Sequence, residues 1–400
     1  MYRTQDELLW SIGNEGGLWY YSKKIGFQMF KKFAFLVFLV NFLSASNAQE
    51  IDLNTLKMAD GFSINIYAHV KNPRQMTLGE NGTVYVGTRS GAQGSVFALL
   101  NPDGSDMATD ILTVDKGLRS PNGVTFKDGD LYVAAMTTIF KYKNVTKNLG
   151  KNNDIEIITD QLPDEAMHSQ RYLEFGPDGL LYVPIGSPCN NCMPKEERFA
   201  ALHTIDLNSK DQKLTSFAKG IRNTIGYNWN PLTNELWFTD NGVNGMEDDL
   251  PADELNYAPK KDMHFGFPFV HQGDTPDKKH GHVKNISDYI PPVQNLAPHS
   301  AALGMMFYSG DMLPSEFKNS IIIAEHGSWN RSEEAGHTGY RVTWVKLEGN
   351  KATKYQTLVS GWLQNNQAWG RPTDVLQLPD GSILISDDFA NVIYRLSYKK

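Results

Sequence analysis

Cysteine is nearly absent from this chain: there are two in 400 residues, Cys189 and Cys192, written CNNC. Zinc would need two further ligands. Met193 follows Cys192, so the c-type haem pattern CxxCH fails as well. What remains is a short-loop disulfide, expected in an exported protein, or a redox-active pair. Blocks of positive charge are missing too. The formal net charge is -7, and no basic run offers a footprint for a nucleic-acid backbone. Nucleic acid is therefore excluded as a partner, and a neutral small substrate or a basic protein fits better. Long apolar runs are scarce. The longest, residues 33–43, is too short for a comfortable membrane span.

That run has another reading. In MFKKFAFLVFLVNFLSASNA, residues 29–48, Lys31 and Lys32 precede it and small residues follow, with Ser46 and Ala48 fitting cleavage before Gln49. This is the pattern of a secretory signal peptide. Met29 stands where such a signal begins. The expected organisation is an upstream extension or over-long reading of the gene at 1–28, a signal peptide at 29–48 and a single domain at 49–400. Residues 1–48 carry five basic and three acidic residues, so cleavage moves the formal charge from -7 to about -9. No stable membrane span is expected after cleavage.

What is present is a repeat. An apolar segment meets a Gly-containing turn and then an alternating strand. The copies are QMTLGENGTVYVGTR, NGVTFKDGDLYVAA, YLEFGPDGLLYVPIG, IGYNWNPLTNELWFTD and DVLQLPDGSILISDD, with a fainter one in LGMMFYSGDMLPSEFKNSIIIAEHG. Asp-Gly and Asn-Gly supply the backbone conformations of tight hairpins, and the strands are rich in Val, Ile, Leu, Tyr and Phe. Six hairpin copies predict an all-β chain, a six-bladed β-propeller. FSINIYAHV at 62–70 is expected to complete the last blade beside VIYRLSY at 392–398, closing the ring. The wider spacing after the fourth copy, including the polar segment 271–292, predicts inserted loops over one face.

Strand starts and connecting loops of a propeller converge near its axis, which directs the search for a site. DNGVNGMEDDLPADELN, residues 240–256, holds six carboxylates between bends. It is not an EF-hand, because Gly242 misses the third position and Pro251 the twelfth. Calcium in a cage of carboxylates and backbone carbonyls and a solvated acidic loop both remain open on composition. Upstream, Arg222 and Asn223 sit between glycines just before a strand, suited to grip a carbonyl or carboxylate. His168 lies just before the third copy and is a candidate base. His326, Trp329 and Arg331 in EHGSWNR are candidates to cover a planar ligand, and Arg371 in WGRP to pair with its carboxylate.

Together these residues resemble the soluble glucose/sorbosone dehydrogenase family, especially its sorbosone dehydrogenase-like branch. The likeness spans nearly all of 55–398 and is carried by GSPCNNC, GIRNTIGYNWNP, DNGVNGMEDDLPADELN, HFGFPF, AEHGSWNR, GYRV, WGRP and ISDDFANVIYRL in order. The resemblance implies a six-bladed propeller that uses pyrroloquinoline quinone (PQQ) held by calcium (Ca2+) to oxidise a sugar, sugar-derived aldehyde or related polyol in the periplasm. It implies His168 as general base, with hydride passing to C5 of the quinone, and Arg222 stabilising charge on the quinone oxygen beside Asn223. Gly242 and Val243 would offer backbone oxygens to calcium, Glu254 would help fix the metal shell with Asp253 as its rival, and Phe265 would add a backbone contribution. Arg371 is the implied cofactor carboxylate contact, and His326 or Arg331 the basic contact of the fifth blade. Two positions depart from the family pattern: Met167 stands where an acidic residue precedes the base, and Val243 replaces a proline. Electrons are expected to leave through a periplasmic acceptor such as a cytochrome. The alternatives are a calcium-dependent lactonase and a non-catalytic carbohydrate-binding propeller.

Overall fold

A computed structural model describes residues 51–399 apart from 90 and 284, together with three short paired strands near the N-terminus, Tyr2–Arg3, Leu9–Ile12 and Leu18–Tyr21. The expected signal peptide at 29–48 lies outside the described residues.

The unit at 49–400 is a ring of six sheets, each a blade of an all-β propeller. Every hairpin copy found in the sequence forms the first two strands of one blade. Blade one begins with Pro73–Leu78 and Val84–Thr88, blade two with Gly123–Lys127 and Asp130–Ala134, and blade three with Glu174–Phe175 and Leu181–Ile185. Blades four, five and six begin with Tyr227–Trp229 and Leu236–Asp240, Ala302–Phe307 and Ile321–Glu325, and Pro372–Gln377 and Ile383–Asp387. The first strands face one another around the axis. Second strands lie between neighbouring blades, so both of their faces are covered, and those of blades one, three, four, five and six are buried along their whole length.

The ring closes as the sequence predicts. Phe62–His69 pairs antiparallel with Val392–Tyr398, from Val392 opposite His69 to Tyr398 opposite Phe62, giving blade six its outer strand. The expected insertion is found inside blade four, between Ala252–Ala258 and Gln294–Pro298. Part of it, Met263–His264, pairs parallel with the outer strand of blade three, Thr215–Lys219, so the insertion ties two blades together.

The apolar core is divided among the blade interfaces, one large cluster for each. Tyr67 and Ile393 of blade six meet Val84, Val86 and Leu99 of blade one at the closing interface. Ile393→Ala removes buried methylene and methyl groups where the N-terminal strand is fastened. It is expected to cost about 2–5 kcal/mol, read as a lower urea midpoint with one cooperative transition. No helix among the described residues is long and apolar enough to cross a membrane.

Candidate active site

First strands run outward from the end of the ring at which second strands finish, because the two are antiparallel. Loops leading into first strands and loops leaving second strands therefore gather at one end. Into-strand loops bring His168, Arg222, Asn223 and Arg371, and loops after second strands bring Arg89, Asn190, Gly242 and His326. These residues line one cavity of about 590 Å³. Four of its lining residues are arginines, Arg74, Arg89, Arg222 and Arg371, and three are histidines, His168, His299 and His326. Its single acidic lining residue, Asp253, accepts hydrogen bonds from Gly242 N, Ser300 Oγ and Ala302 N. In a chain of net charge -7, this is a concentrated cationic pocket.

His168 adopts a left-handed backbone, φ 51°, in the loop before blade three. Its Nδ1 lies 2.7 Å from the Ser187 carbonyl. A carbonyl only accepts, so Nδ1 carries the proton and Nε2 keeps its lone pair. Burial, with Arg222 nearby, pushes the imidazole down to about 3, so the ring is neutral at physiological pH. Met167, 47% exposed, lines the cavity beside it. Gly186 allows the approach: a Cβ there would stand 2.6 Å from His168 Cβ and 3.2 Å from the Arg222 carbonyl.

Arg222 is 3% exposed. Its Nε donates to the Asn190 carbonyl at 2.9 Å, one terminal nitrogen to Asn190 Oδ1 at 2.9 Å and the other to the Asn241 carbonyl at 3.0 Å. A guanidinium has five N–H donors, so two are left for a ligand. The backbone N–H groups of Arg222 and Asn223 both donate to Asp240, at 2.8 and 2.6 Å.

Across the cavity, His326 donates from Nε2 to Asp388 at 2.7 Å, and Arg74 bonds the other oxygen of the same carboxylate at 2.8 Å. Burial opposes ionisation of Asp388, but His326 and Arg74 hold it well below the usual carboxylate range. Burial pushes His326 down to about 4. Arg371 donates to the carbonyls of His326 and Gly327 and lies 5.2 Å from the Tyr340 ring centre. Trp329, 69% exposed, stands at the rim.

The residues expected to hold a metal share one small space. Gly242, Val243, Glu254 and Phe265 all line a cage of about 10 Å³, and Gly242 also borders the large cavity next to it. Arg222, Asn241 and Gly242 form the wall common to both. Among the described residues, the carbonyl oxygens of Gly242, Val243 and Phe265 accept no hydrogen bond. Glu254 and Asp240 are its two acidic lining residues, and burial pushes their carboxyls up to about 8 and about 7. Among the described residues no three His, Cys, Asp or Glu side chains form a metal-binding group, so this cage depends on main-chain oxygen. Asp253, the rival to Glu254, is used in bracing Gly242 and the start of blade five.

Arg331 is placed differently from the expected cofactor contact. It does not line the cavity, and its guanidinium bonds the Asp248 carbonyl, the Asp249 carboxylate and the Gly336 carbonyl. It fastens the outer part of the acidic bend. The six carboxylates therefore do separate work: Asp240, Asp253 and Glu254 are buried braces or cage walls, Asp248 and Asp249 tie the bend to 331–332, and Glu247 stands 3.9 Å from Lys278. Arg74, Arg89, Asn190 and His299 also line the cavity and were not singled out in the sequence. Arg74 precedes the first hairpin copy and Arg89 ends it, and that position was the available signal. Cys189 and Cys192 are joined in a disulfide.

A family model described as Glucose / Sorbosone dehydrogenase matches residues 124–394. The chain is 34% identical over 384 residues to an uncharacterised protein of Borreliella burgdorferi, covering 91% of this chain and 96% of that one. Among solved structures, the holo PQQ domain of a pyranose dehydrogenase from Coprinopsis cinerea superposes with a TM-score of 0.71 at 17% identity, covering 86% of this chain and 97% of that one. A calcium structure of a carbohydrate-active enzyme from Trichoderma reesei superposes with a TM-score of 0.73 at 16% identity, over 86% of this chain and 97% of that one. At such identities the structural likeness bears on the fold alone.

Proposed function

The chain belongs to the glucose/sorbosone dehydrogenase family, a family of sugar-dehydrogenase-type oxidoreductases, and we propose that it oxidises a sugar, sugar-derived aldehyde or related polyol with PQQ and calcium. The motifs of its sequence support the sorbosone dehydrogenase-like branch within that family. The observation that carries this reading is the cavity: four arginines around a space with a neutral histidine at its side and an oxygen-rich cage at its wall. Such a lining suits a flat polycarboxylate. The relatives from Coprinopsis cinerea and Trichoderma reesei, named for PQQ and for calcium, support the same pair of groups here.

Arg371, Arg74 and His326 would bind the quinone from blades six, one and five, with Arg222 and Asn223 at its other edge. Calcium would take the unpartnered carbonyls of Gly242, Val243 and Phe265 with Glu254, a hard oxygen set. When bound, the quinone supplies the two-electron acceptor for the substrate carbon. The protein does the proton chemistry. His168 Nε2 takes the substrate hydroxyl proton, while the Ser187 carbonyl fixes the tautomer. The free N–H donors of Arg222 meet negative charge that grows only in the transition state. The reduced protein would pass its electrons to a periplasmic acceptor such as a cytochrome, after export directed by residues 29–48.

The test is reconstitution of the mature chain with PQQ and calcium, followed by dye reduction across sugars and aldehydes. Turnover that needs both groups is expected. Hydrolysis of lactones without dye reduction would instead indicate a lactonase with an open metal position. Glu254→Gln is expected to weaken calcium retention by about tenfold or more, read by metal titration, since one ligand charge is lost. Unchanged affinity would remove Glu254 from the metal shell.

A further inference from the structure

The CNNC segment is a sequence motif that the reaction above leaves without a task. In the structure it touches Arg222, and Ser187 just ahead of it touches His168. Asn190, inside the loop closed by Cys189 and Cys192, meets Arg222 twice, through its carbonyl and through its side-chain Oδ1. The same Oδ1 accepts the Asn244 N–H at 2.9 Å, and Asn190 Nδ2 donates to the Asn244 carbonyl at 2.9 Å. One amide thus fixes the guanidinium to the bend that carries Gly242 and Val243. Asn191 donates to Asp277 at 2.7 Å, and Asp277 accepts from His271 in the wall of the cage. At the near end, Ser187 donates its N–H to the Arg222 carbonyl and accepts from His168.

A buried guanidinium works only where its acceptors stay in place. A short polar loop holds such a geometry at a cost in conformational entropy, and joining its ends removes alternative conformations. We propose that the Cys189–Cys192 loop is the positioning element for Arg222, acting through Asn190, so that opening the disulfide detunes the site while the propeller stays folded. The proposal rests on the role given to Arg222 above, but the coupling it invokes is readable without turnover. Opening uses a dithiol reductant. One reagent thiolate attacks a sulfur of the pair and forms a mixed disulfide, and the second reagent thiol displaces the protein sulfur. Two electrons and two protons reach the protein as two thiols, and the reagent leaves as a cyclic disulfide. Both cysteines are half-buried, and none of the six large core clusters includes either.

The experiment compares oxidised, dithiol-reduced, Asn190→Ala and Asn190→Asp protein, each loaded with PQQ and calcium. Asn190→Ala is expected to lower kcat by about ten- to hundredfold, the range for one hydrogen bond to a charged group, with quinone affinity and the melting transition held. Asn190→Asp keeps acceptor oxygens for Arg222 and is expected to recover most of the loss. Reduction should speed hydrogen exchange at 187–192 and 241–244 and leave strands 181–185 and 383–387 unchanged. Exchange at 241–244 that ignores reduction overturns the proposal, as does Asn190→Asp protein as impaired as Asn190→Ala. A wild-type protein that responds in exchange but never turns over removes the dehydrogenase reading and upholds the positioning contact.

Discussion

Glutamine in place of His168 leaves the quinone bound and removes turnover, with kcat lower by about 10²–10⁴-fold, the contribution of a positioned general base. The geometry gives the reason. The Ser187 carbonyl takes the Nδ1 proton, leaving one basic nitrogen for the substrate. A glutamine amide has no comparable basicity, though its size keeps the cavity wall filled. The pH profile provides an independent reading. The imidazole is pushed from its ordinary value near 6.5 down to about 3, by burial first and by Arg222 second. The working form is the unprotonated one, so lowering the pH from 7 to 5 leaves the base competent. The acid limb of kcat/KM is therefore expected below pH 5. A limb near 6.5 would mean that His168 is not the base in this environment, and full turnover in His168→Gln protein would exclude it outright. Met167 bears on the same point. With methionine before the base and a backbone carbonyl as its partner, no carboxylate raises the affinity of the ring for a proton.

The blades were legible because they rest on local chemistry. Asp-Gly and Asn-Gly turns and period-two strands mark each hairpin within about fifteen residues, and all six copies form the start of a blade. Closure by 62–69 could be read because a strand without a turn partner at one end matched one at the other. Placement at the axis was legible too: His168, Arg222, Asn223, His326 and Arg371 meet in one cavity because each sits beside a strand start or a strand end. Choices between near neighbours were not. His326 and Arg331 are five residues apart, and only the bonds of Arg331 to Asp248, Asp249 and Gly336 show that its charge is already used. That the metal-loop residues share a cage beside the main cavity, with Gly242 alone of them lining both, was hidden for the same reason. Gly242 and Val243 are adjacent in sequence, but Glu254 and Phe265 reach the same cage from a strand and from the insertion.

Substituting Arg222 separates charge from shape. Lysine keeps the positive charge but replaces a planar fork by a single ammonium. It cannot satisfy the Asn190 carbonyl, Asn190 Oδ1 and the Asn241 carbonyl together and still present donors to the cavity. Arg222→Lys is therefore expected to lower kcat by about 10²–10³-fold, the cost of one preorganised donor to developing negative charge, with a smaller change in quinone affinity. Arg222→Ala loses as much in kcat and also leaves acceptor oxygens unpaired in the wall between cavity and cage, so calcium retention and thermal stability fall with it. Stopped-flow reduction by substrate, measured beside metal and quinone titrations, distinguishes the two variants. Near wild-type rates in Arg222→Lys protein would show that field alone suffices and that the donor geometry set by Asn190 and Asn241 is not used in the chemical step. The converse result, a slow chemical step with quinone and calcium both held, ties the rate to the aim of the two guanidinium donors that the loop and the bend leave free.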